Sequence, residues 1–225
     1  MKILLISDHE EKALWDHWSG QTAERLSDVN LILSAGDLAA DYLEFLVSML
    51  NVPLVYVRGN HDEAYLNDPP EGCIDAEGKI VDVKGARTSE HVRILGLGGS
   101  MRYKPNSKCM FTEKEMKRRI AGMSAALLKN TLTGRLKGKN SFDILLTHAP
   151  CKGYGDLEDL PHQGFECFND LLMRQHPLLH VYGHIHLAYC AGNRSSLERT
   201  ITHPSGTTLI NAEGYTIISN VFNLL

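Results

Sequence analysis

Short apolar runs alternate with amphipathic stretches over the first third of the chain. Residues 3–6, 29–33 and 54–57 are rich in aliphatic and β-branched side chains, which predicts three buried strands. The stretches between them, residues 11–18 and 39–50, carry apolar residues at helical spacing, and Gly20 and Asn51 follow as their stop signals. Strand–helix–strand alternation predicts a mainly parallel sheet with helices as the crossover connections.

The rest of the chain continues this pattern less regularly. Thr112 and Glu115 form a capping box, which predicts the start of a helix that continues to Leu127. Residues 132–141 are predicted to be a loop, and residues 165–174 a helix. Further strands are predicted at residues 79–83, 92–97, 142–146, 178–181, 207–211 and 215–221. Since no repeat or linker-like tract interrupts the chain, we expect a single domain over residues 1–225.

Composition narrows the classes of protein to which the chain could belong. Hydrophobic residues make up 43% of the 225 positions and charged residues 22%, as in an ordinary globular protein. A formal net charge of -4 argues against long nucleic acids as partners. No stretch approaches about twenty apolar residues, so no membrane association is expected. The five scattered cysteines lack a C-x-x-C pair, which predicts reduced thiols in a cytoplasmic protein.

Side chains that bind metals or protons follow the predicted strands directly. They are Asp8, Glu10, Asp37, Asn60, His61, His148, His184 and His186. One such residue is ordinarily a turn or structural residue, but five junctions of this kind indicate a common site, because ligands bind beyond the carboxyl ends of parallel strands. If the first strand stays extended, Asp8 and Glu10 share a face, as His184 and His186 do around Ile185. Nitrogen and oxygen donors without thiolate suit Mn²⁺, Fe or Zn²⁺, and they are numerous enough for two metals.

The loop after residue 96 has two open interpretations. Gly96, Gly98 and Gly99 superficially match a dinucleotide-binding loop, but Met101 stands where a glycine or alanine is needed and no helical pattern follows. The better interpretations are a loop that carries Arg102 and Lys104 towards a phosphate group, or a plain surface loop. We expect this loop and residues 151–163 to shape a pocket.

Several of these residues form an ordered set of motifs. Gly36-Asp37, Gly59-Asn60-His61-Asp62, His148 and Gly183-His184-Ile185-His186 resemble the signature of the calcineurin-like metallophosphoesterases, in the same order and strand-end context. The resemblance implies an α/β fold, a four-layer α-β-β-α sandwich of two mixed β-sheets flanked by helices. It covers the chain from Asp8 to His186.

The resemblance also implies a role for each motif residue. Asp37 would bridge two divalent metal ions. Asp8 and His186 would hold the first metal ion. Asn60, His148 and His184 would hold the second. His61 would lie over the substrate as a catalytic residue, with Asp62 orienting it.

The first motif departs from the family pattern. The family has Asp-x-His where this chain has Asp8-His9-Glu10. We expect Glu10 to replace the imidazole as a ligand, which would favour Mn²⁺, Mg²⁺ or Fe²⁺ at the first site. The alternative is a weak first site. The chain also departs from the protein Ser/Thr phosphatase branch, since Asp41 is followed by Tyr42 and not by the Arg-Gly of that branch.

These observations predict a metal-dependent phosphoesterase. The expected substrate is a phosphodiester or phosphomonoester of a small or nucleotide-like molecule, cleaved by a hydroxide that bridges two metals. The expected cofactors are two divalent metal ions, Mn²⁺ first, with Fe, Zn²⁺ or Mg²⁺ as alternatives. The competing hypotheses are a non-catalytic scaffold of the same fold and a nuclease acting on short oligonucleotides.

Overall fold

The computed structural model describes residues 1–135, 140–187 and 199–219. The strands within these ranges are β1 (Lys2–Ser7), β2 (Leu31–Ser34), β3 (Leu54–Tyr56), β4 (Ile74–Asp75), β5 (Ile80–Lys84), β6 (His91–Leu97), β7 (Ser100–Met101), β8 (Met110–Phe111), β9 (Ile144–Thr147), β10 (Leu179–Tyr182), β11 (Thr200–Thr202), β12 (Thr208–Asn211) and β13 (Gly214–Ser219). The helices are α1 (Gly20–Leu26), α2 (Ala40–Leu50), α3 (Glu113–Gly122), α4 (Ser124–Arg135) and α5 (Glu166–Gln175).

Two large mixed sheets organise these elements. The first has the strand order β13-β1-β2-β3-β4 and is parallel except for β13. The second has the order β11-β12-β10-β9-β6-β5 and is parallel except at its two edges. The parallel β1-β2-β3 core confirms the strand–helix–strand prediction for the first third of the chain.

The two sheets pack face to face because their central strands are apolar on both sides. Ile3 of β1 lies in one buried cluster with Leu146 of β9 and Val181 of β10. The next residue, Leu4, points to the opposite face of the first sheet and packs in a cluster with Leu46 of α2. Each such side chain contributes about 1.5–3 kcal/mol on burial.

The outer face of the second sheet is covered in the same way. Leu145 of β9 packs in a third cluster with Met116 of α3 and Phe168 of α5. The layers therefore run helix, sheet, sheet, helix, and the four-layer sandwich that the resemblance implied is confirmed.

The helix predicted at residues 11–18 is wrong. Lys12–Leu14 form one 3₁₀ turn, and α1 begins at Gly20, which the sequence pattern suggested as a stop. Ser19 Oγ accepts a hydrogen bond of 3.2 Å from the Thr22 N–H and caps this helix. The tryptophans that suggested a helical stripe instead pack their rings edge-on against Phe45.

The capping box is confirmed, but the helix that follows it is interrupted. Thr112 Oγ1 accepts from the Glu115 N–H at 3.3 Å, and Glu115 Oε2 accepts from the Thr112 N–H at 2.7 Å. The helix is then interrupted at Met123, which separates α3 from α4. Met116 and Met123 are nevertheless both buried, as the predicted stripe requires.

The loop predicted at residues 132–141 is partly helical, because α4 continues to Arg135. Residues 136–139 of that prediction lie outside the described residues, as do residues 220–221 of the last predicted strand. The four cysteines that the structure describes are free, and Cys190 lies outside the described ranges. Within those ranges, no helix combines the length and apolarity needed to cross a bilayer.

Two glycines allow the loops after β2 and β3 to touch. Gly36 has a φ of +97°, and a Cβ there would overlap the backbone nitrogen of Gly59. A Cβ on Gly59 would in turn overlap the carboxylate of Asp37. The contact between these loops therefore requires glycine on both sides.

This contact predicts a large difference between two alanine substitutions. Gly36→Ala adds the cost of a left-handed backbone to a clash with Gly59, so we expect a loss of about 3 kcal/mol or more in the free energy of unfolding. Gly206→Ala is the matched control, since Gly206 has a φ of +84° with nothing within 4 Å of its would-be Cβ. It should cost about 1 kcal/mol. Urea denaturation measures both, and equal losses would contradict the prediction.

Candidate metal centre

Strand ends from both sheets meet at one edge of the sandwich. β1, β2 and β3 are followed by Asp8, Asp37 and Asn60, and β9 and β10 are followed by His148, His184 and His186. A hydrogen bond links the sheets directly, because the His184 N–H donates to the Asp8 carboxylate at 2.8 Å. The Asp8 N–H donates to the Gly36 carbonyl at 3.1 Å, which fastens the first two loops together.

Three of the predicted ligands form a compact donor group. One ligand atom from each of Asp37, His148 and His184 lies within 4.8 Å of the other two. His148 Nε2 lies 3.0 Å from Asn60 Oδ1 and 3.3 Å from Asp37 Oδ2. These four side chains include the whole set that the resemblance assigned to the second metal ion.

Backbone carbonyls orient the two imidazoles. His148 Nδ1 donates to the Ala35 carbonyl at 2.8 Å, and His184 Nε2 donates to the Pro161 carbonyl at 2.7 Å. Nε2 of His148 and Nδ1 of His184 therefore stay available to bind a cation. Ligand histidines in proteins ordinarily donate their second N–H in this way, which sets the tautomer and the ring orientation.

Burial and charge act in opposite directions on the pKa of His148. Burial lowers this pKa, whereas the charge and hydrogen bond of Asp37 raise it, and the result is a pKa of about 9. Burial would raise the pKa of Asp37, but the His148 charge holds it well below its usual range. Burial and then the His148 charge lower the pKa of His184 to about 3. The site thus favours a positive charge beside Asp37, where a divalent cation would replace the proton.

The backbone at this edge is strained at three of the predicted ligands. Among the described residues, five non-glycine positions have a positive φ, and three of them are predicted ligands: Asp8 (62°), Asp37 (55°) and His184 (68°). Such conformations cost about 1–3 kcal/mol each and concentrate at functional sites. The donor set, its orientation and this strain together fit a bound metal ion.

His186 has a carboxylate neighbour that the sequence patterns did not single out. His186 Nδ1 lies 3.6 Å from Glu213 Oε1, and Glu213 Oε2 accepts from the Leu187 N–H at 2.8 Å. A carboxylate behind a ligand histidine is a common supporting arrangement at metal sites. In the sequence, Glu213 was visible only as a turn residue before the last strand.

Asp62 contacts the loops and not the His61 ring. Its Oδ2 atom accepts two hydrogen bonds of 2.7 Å, from the N–H groups of Asp37 and Gly59. Burial, and then the charge of Asp37, raise the pKa of Asp62 to about 6. The resemblance implied that Asp62 orients the His61 ring, but no hydrogen bond joins these two side chains in the residues that the structure describes. Asp62 fixes the backbone at two motifs.

Two cavities open above the donor group and share Asp8, Asp37 and His61 in their walls. The first has a volume of about 500 Å³ and is completed by His9, Glu10, Leu38, Ala39 and Asp62. The second has a volume of about 350 Å³ and is completed by Asn60, Tyr103, Pro161, His162, His184 and His186. Both loops that were expected to shape a pocket contribute to the second cavity.

The comparisons with known proteins agree with this geometry. A family model described as calcineurin-like phosphoesterase matches residues 1–188. The chain belongs to the calcineurin-like phosphoesterase family. No curated protein matches it.

Two solved structures align with this phosphoesterase. The protein TT1561 of Thermus thermophilus aligns with a TM-score of 0.58 at 14% identity, over 95% of this chain and 89% of that chain. A novel archaeal phosphodiesterase aligns with a TM-score of 0.40 at 13% identity, over 98% of this chain and 94% of that chain. The first similarity supports the fold, and the second is too weak to add to it.

The position of Glu10 in this phosphoesterase differs from the extended-strand prediction. β1 ends at Ser7, and the left-handed Asp8 breaks the alternation on which the shared face depended. Glu10 is exposed, and its Oε1 accepts from the Ala39 N–H at 3.0 Å, at the amino end of α2. Glu10 still lines the cavity beside Asp8, so its role as a ligand stays a prediction.

Arg102 and Lys104 do not line either cavity. Arg102 is held by the Glu115 carboxylate at 2.9 Å and by two carbonyl oxygens of its own loop. Lys104 Nζ lies 5.3 Å from the centre of the Tyr103 ring. The geometry therefore gives no support to phosphate binding by these two cations, and Tyr103 between them is the residue that reaches the site.

Two substitutions at Glu10 separate metal binding from helix capping. Glu10→Gln keeps an oxygen for the Ala39 N–H but is a weaker ligand, so the metal-free protein should keep its stability and lose bound Mn²⁺. Glu10→Ala should lose bound Mn²⁺ and also about 1 kcal/mol of stability. Metal content and urea denaturation measure the two effects. Unchanged metal content in both variants would exclude Glu10 as a ligand.

Proposed function

We propose that this protein is a hydrolase for a phosphodiester or phosphomonoester of a small or nucleotide-like molecule, and that it uses two divalent metal ions, with Mn²⁺ the expected metal. The observation that carries the proposal is the convergence of Asp37, His148 and His184, with both imidazoles oriented by backbone carbonyls. Turn or capping chemistry does not require this arrangement.

The residues divide into two groups around the cations. Asp37 would contribute to both sites, with Asn60, His148 and His184 at one and Asp8, Glu10 and His186 at the other. The bound cations would lower the pKa of a water molecule and neutralise charge on the phosphoryl oxygens. The ligand set lacks thiolates, since the described cysteines lie elsewhere, and nitrogen and oxygen donors suit Mn²⁺, Fe or Zn²⁺.

His61 is the proposed proton donor to the leaving oxygen. Its backbone N–H donates to Asp37 Oδ1 at 2.8 Å, which anchors the residue beside the metal ligands. Its side chain is exposed and lines both cavities, so it reaches a substrate in either one. A positioned imidazole suits this role because a poor alkoxide leaving group needs a proton as its bond to phosphorus breaks.

The donor group also bears on the competing hypotheses. A non-catalytic scaffold would have no need of oriented imidazoles and strained ligand residues, and these features favour the enzyme. A nuclease acting on short oligonucleotides uses the same chemistry and differs only in substrate.

Metal add-back tests the proposed function. We expect chelator-stripped protein to be inactive on bis-p-nitrophenyl phosphate and to regain turnover with Mn²⁺. Asp37→Asn should reduce that turnover by about 100-fold or more, since the shared ligand is lost. Asp82→Asn is the control, because Asp82 is exposed on the edge strand β5 and pairs with His91 of the neighbouring strand β6. Absence of turnover with every divalent metal, on diester and monoester alike, would contradict the proposal.

The role of His61 predicts a dependence on the leaving group. His61→Ala should reduce turnover of alkyl esters by about 10²–10⁴-fold, because the alkoxide that leaves needs a proton. Nitrophenyl esters should lose much less, since nitrophenolate leaves without one. Rates for a series of leaving groups, with metal content measured in parallel, test this difference. Equal losses across the series would remove the acid role.

A further inference from the structure

The loop after β9 places a short turn directly over one metal ligand. The Asp156 carboxylate accepts hydrogen bonds from the N–H groups of Gly153 (2.8 Å) and Gly164 (3.0 Å), which holds the two ends of the loop together. Between them, Leu160–His162 form a 3₁₀ turn. The carbonyl within this turn is the acceptor for His184, described above, so the turn is fixed relative to the donor group.

This turn presents a second imidazole to the site. His162 Nδ1 lies 2.6 Å from Asp159 Oδ2, and the His162 ring centre lies 5.4 Å from that of His184. Its side chain is 28% exposed and lines the 350 Å³ cavity. The resemblance assigns the metal ions to other residues, so it gives this carboxylate-oriented histidine no role.

Tyr103 stands in the same cavity. Its hydroxyl accepts a hydrogen bond of 3.4 Å from Asn60 Nδ2, which ties the phenol to another predicted metal ligand. We call Tyr103 and His162 together the His162 wall. It consists of one phenol and one imidazole, and both are flat side chains able to hydrogen-bond and to pack against an organic group.

The 500 Å³ cavity has a different lining. The residues that belong to it alone include Glu10 and His9, both exposed, together with the start of α2. Glu10 is a proposed metal ligand, and the described lining of this cavity includes no phenol that could pack against an organic group. The organic group that stays on phosphorus therefore has its better contacts at the His162 wall.

We infer that the His162 wall binds the retained organic group of a phosphodiester, and that this makes the protein a phosphodiesterase in preference to a phosphomonoesterase. The inference rests on the proposed function and names its substrate class. A monoester has no retained organic group, so it gains nothing from the wall. Asp159 is a positioning residue in this arrangement, since it acts through His162.

The kinetic test compares two substrates in metal-loaded protein. His162→Ala should lower kcat/KM for bis-p-nitrophenyl phosphate about tenfold, mainly through KM, and leave p-nitrophenyl phosphate within about twofold. Asp159→Asn should give a smaller loss of the same kind. His91→Ala is the matched control, because His91 forms an exposed pair with Asp82 at 2.9 Å, at the amino end of β6 and away from both cavities.

Metal content is measured for each variant, because the turn also contacts His184. If His162→Ala loses metal, His162→Gln is used in its place. Loss of metal from both variants would assign His162 to the support of His184 and overturn the inference. Equal losses on diester and monoester, or no loss on either, would also overturn it.

A binding measurement separates failure of this inference from failure of the proposed function. Diphenylphosphinate carries two organic groups and phenylphosphonate carries one, and neither has an ester bond to cleave. We expect calorimetry on the Mn²⁺-loaded protein to show that His162→Ala weakens the binding of diphenylphosphinate about tenfold. The affinity for phenylphosphonate should change by no more than about twofold. If the wild-type protein cleaves no ester, the proposed function fails. The selective loss of diphenylphosphinate affinity would still support binding of an organic group at the His162 wall. Equal affinities of wild type and variant would overturn it.

Discussion

The structure depends on the burial of two mainly parallel sheets against each other. Strands with apolar residues on both faces, such as β1 with Ile3 facing in and Leu4 facing out, are stable only when both faces are covered. Parallel pairing then brings strand ends in each sheet to the same edge. Since the two sheets stack, their edges coincide, and polar residues that are more than a hundred positions apart become neighbours.

The chemistry of that edge follows from placing charged groups where little water reaches them. Asp37 and His148 each have a strongly shifted pKa because burial acts against the charged form of each, while each stabilises the charge of the other. The proton on His148 balances the charge of Asp37, and a divalent metal ion bound there would take the place of that proton. The positive φ angles of Asp8, Asp37 and His184 are a stability cost that the surrounding sheets have to offset.

The ligands are held mainly by the backbone of other loops. Ala35 and Pro161 supply the carbonyls that orient His148 and His184, and Asp62 binds N–H groups of two loops at once. No single segment therefore makes the site. A change in one loop would therefore displace predicted ligands that belong to another, as Pro161 and His184 show.

Much of this was determined by the sequence alone. Continuous apolar runs predict buried strands. The polar residues that follow these runs lie at strand ends, whatever the details of packing. The order of the motifs then indicated the family and the sandwich, and it predicted a ligand set. Local helix boundaries were less certain, as residues 11–18 show, because aromatic packing against Phe45 outweighed the apparent helical spacing.

Only the tertiary structure decided which groups these residues contact. Side-chain alternation predicts a shared face only while the backbone stays extended, and the left-handed Asp8 ends that relation before Glu10. The hydrogen-bond partners of Asp62 are N–H groups of two loops that two glycines allow to touch. No local sequence pattern predicts these hydrogen bonds. Tyr103 follows β7, which pairs with β8 in a small sheet of its own, and His162 follows β9 of the second sheet. They line one cavity because the whole chain packs in this way.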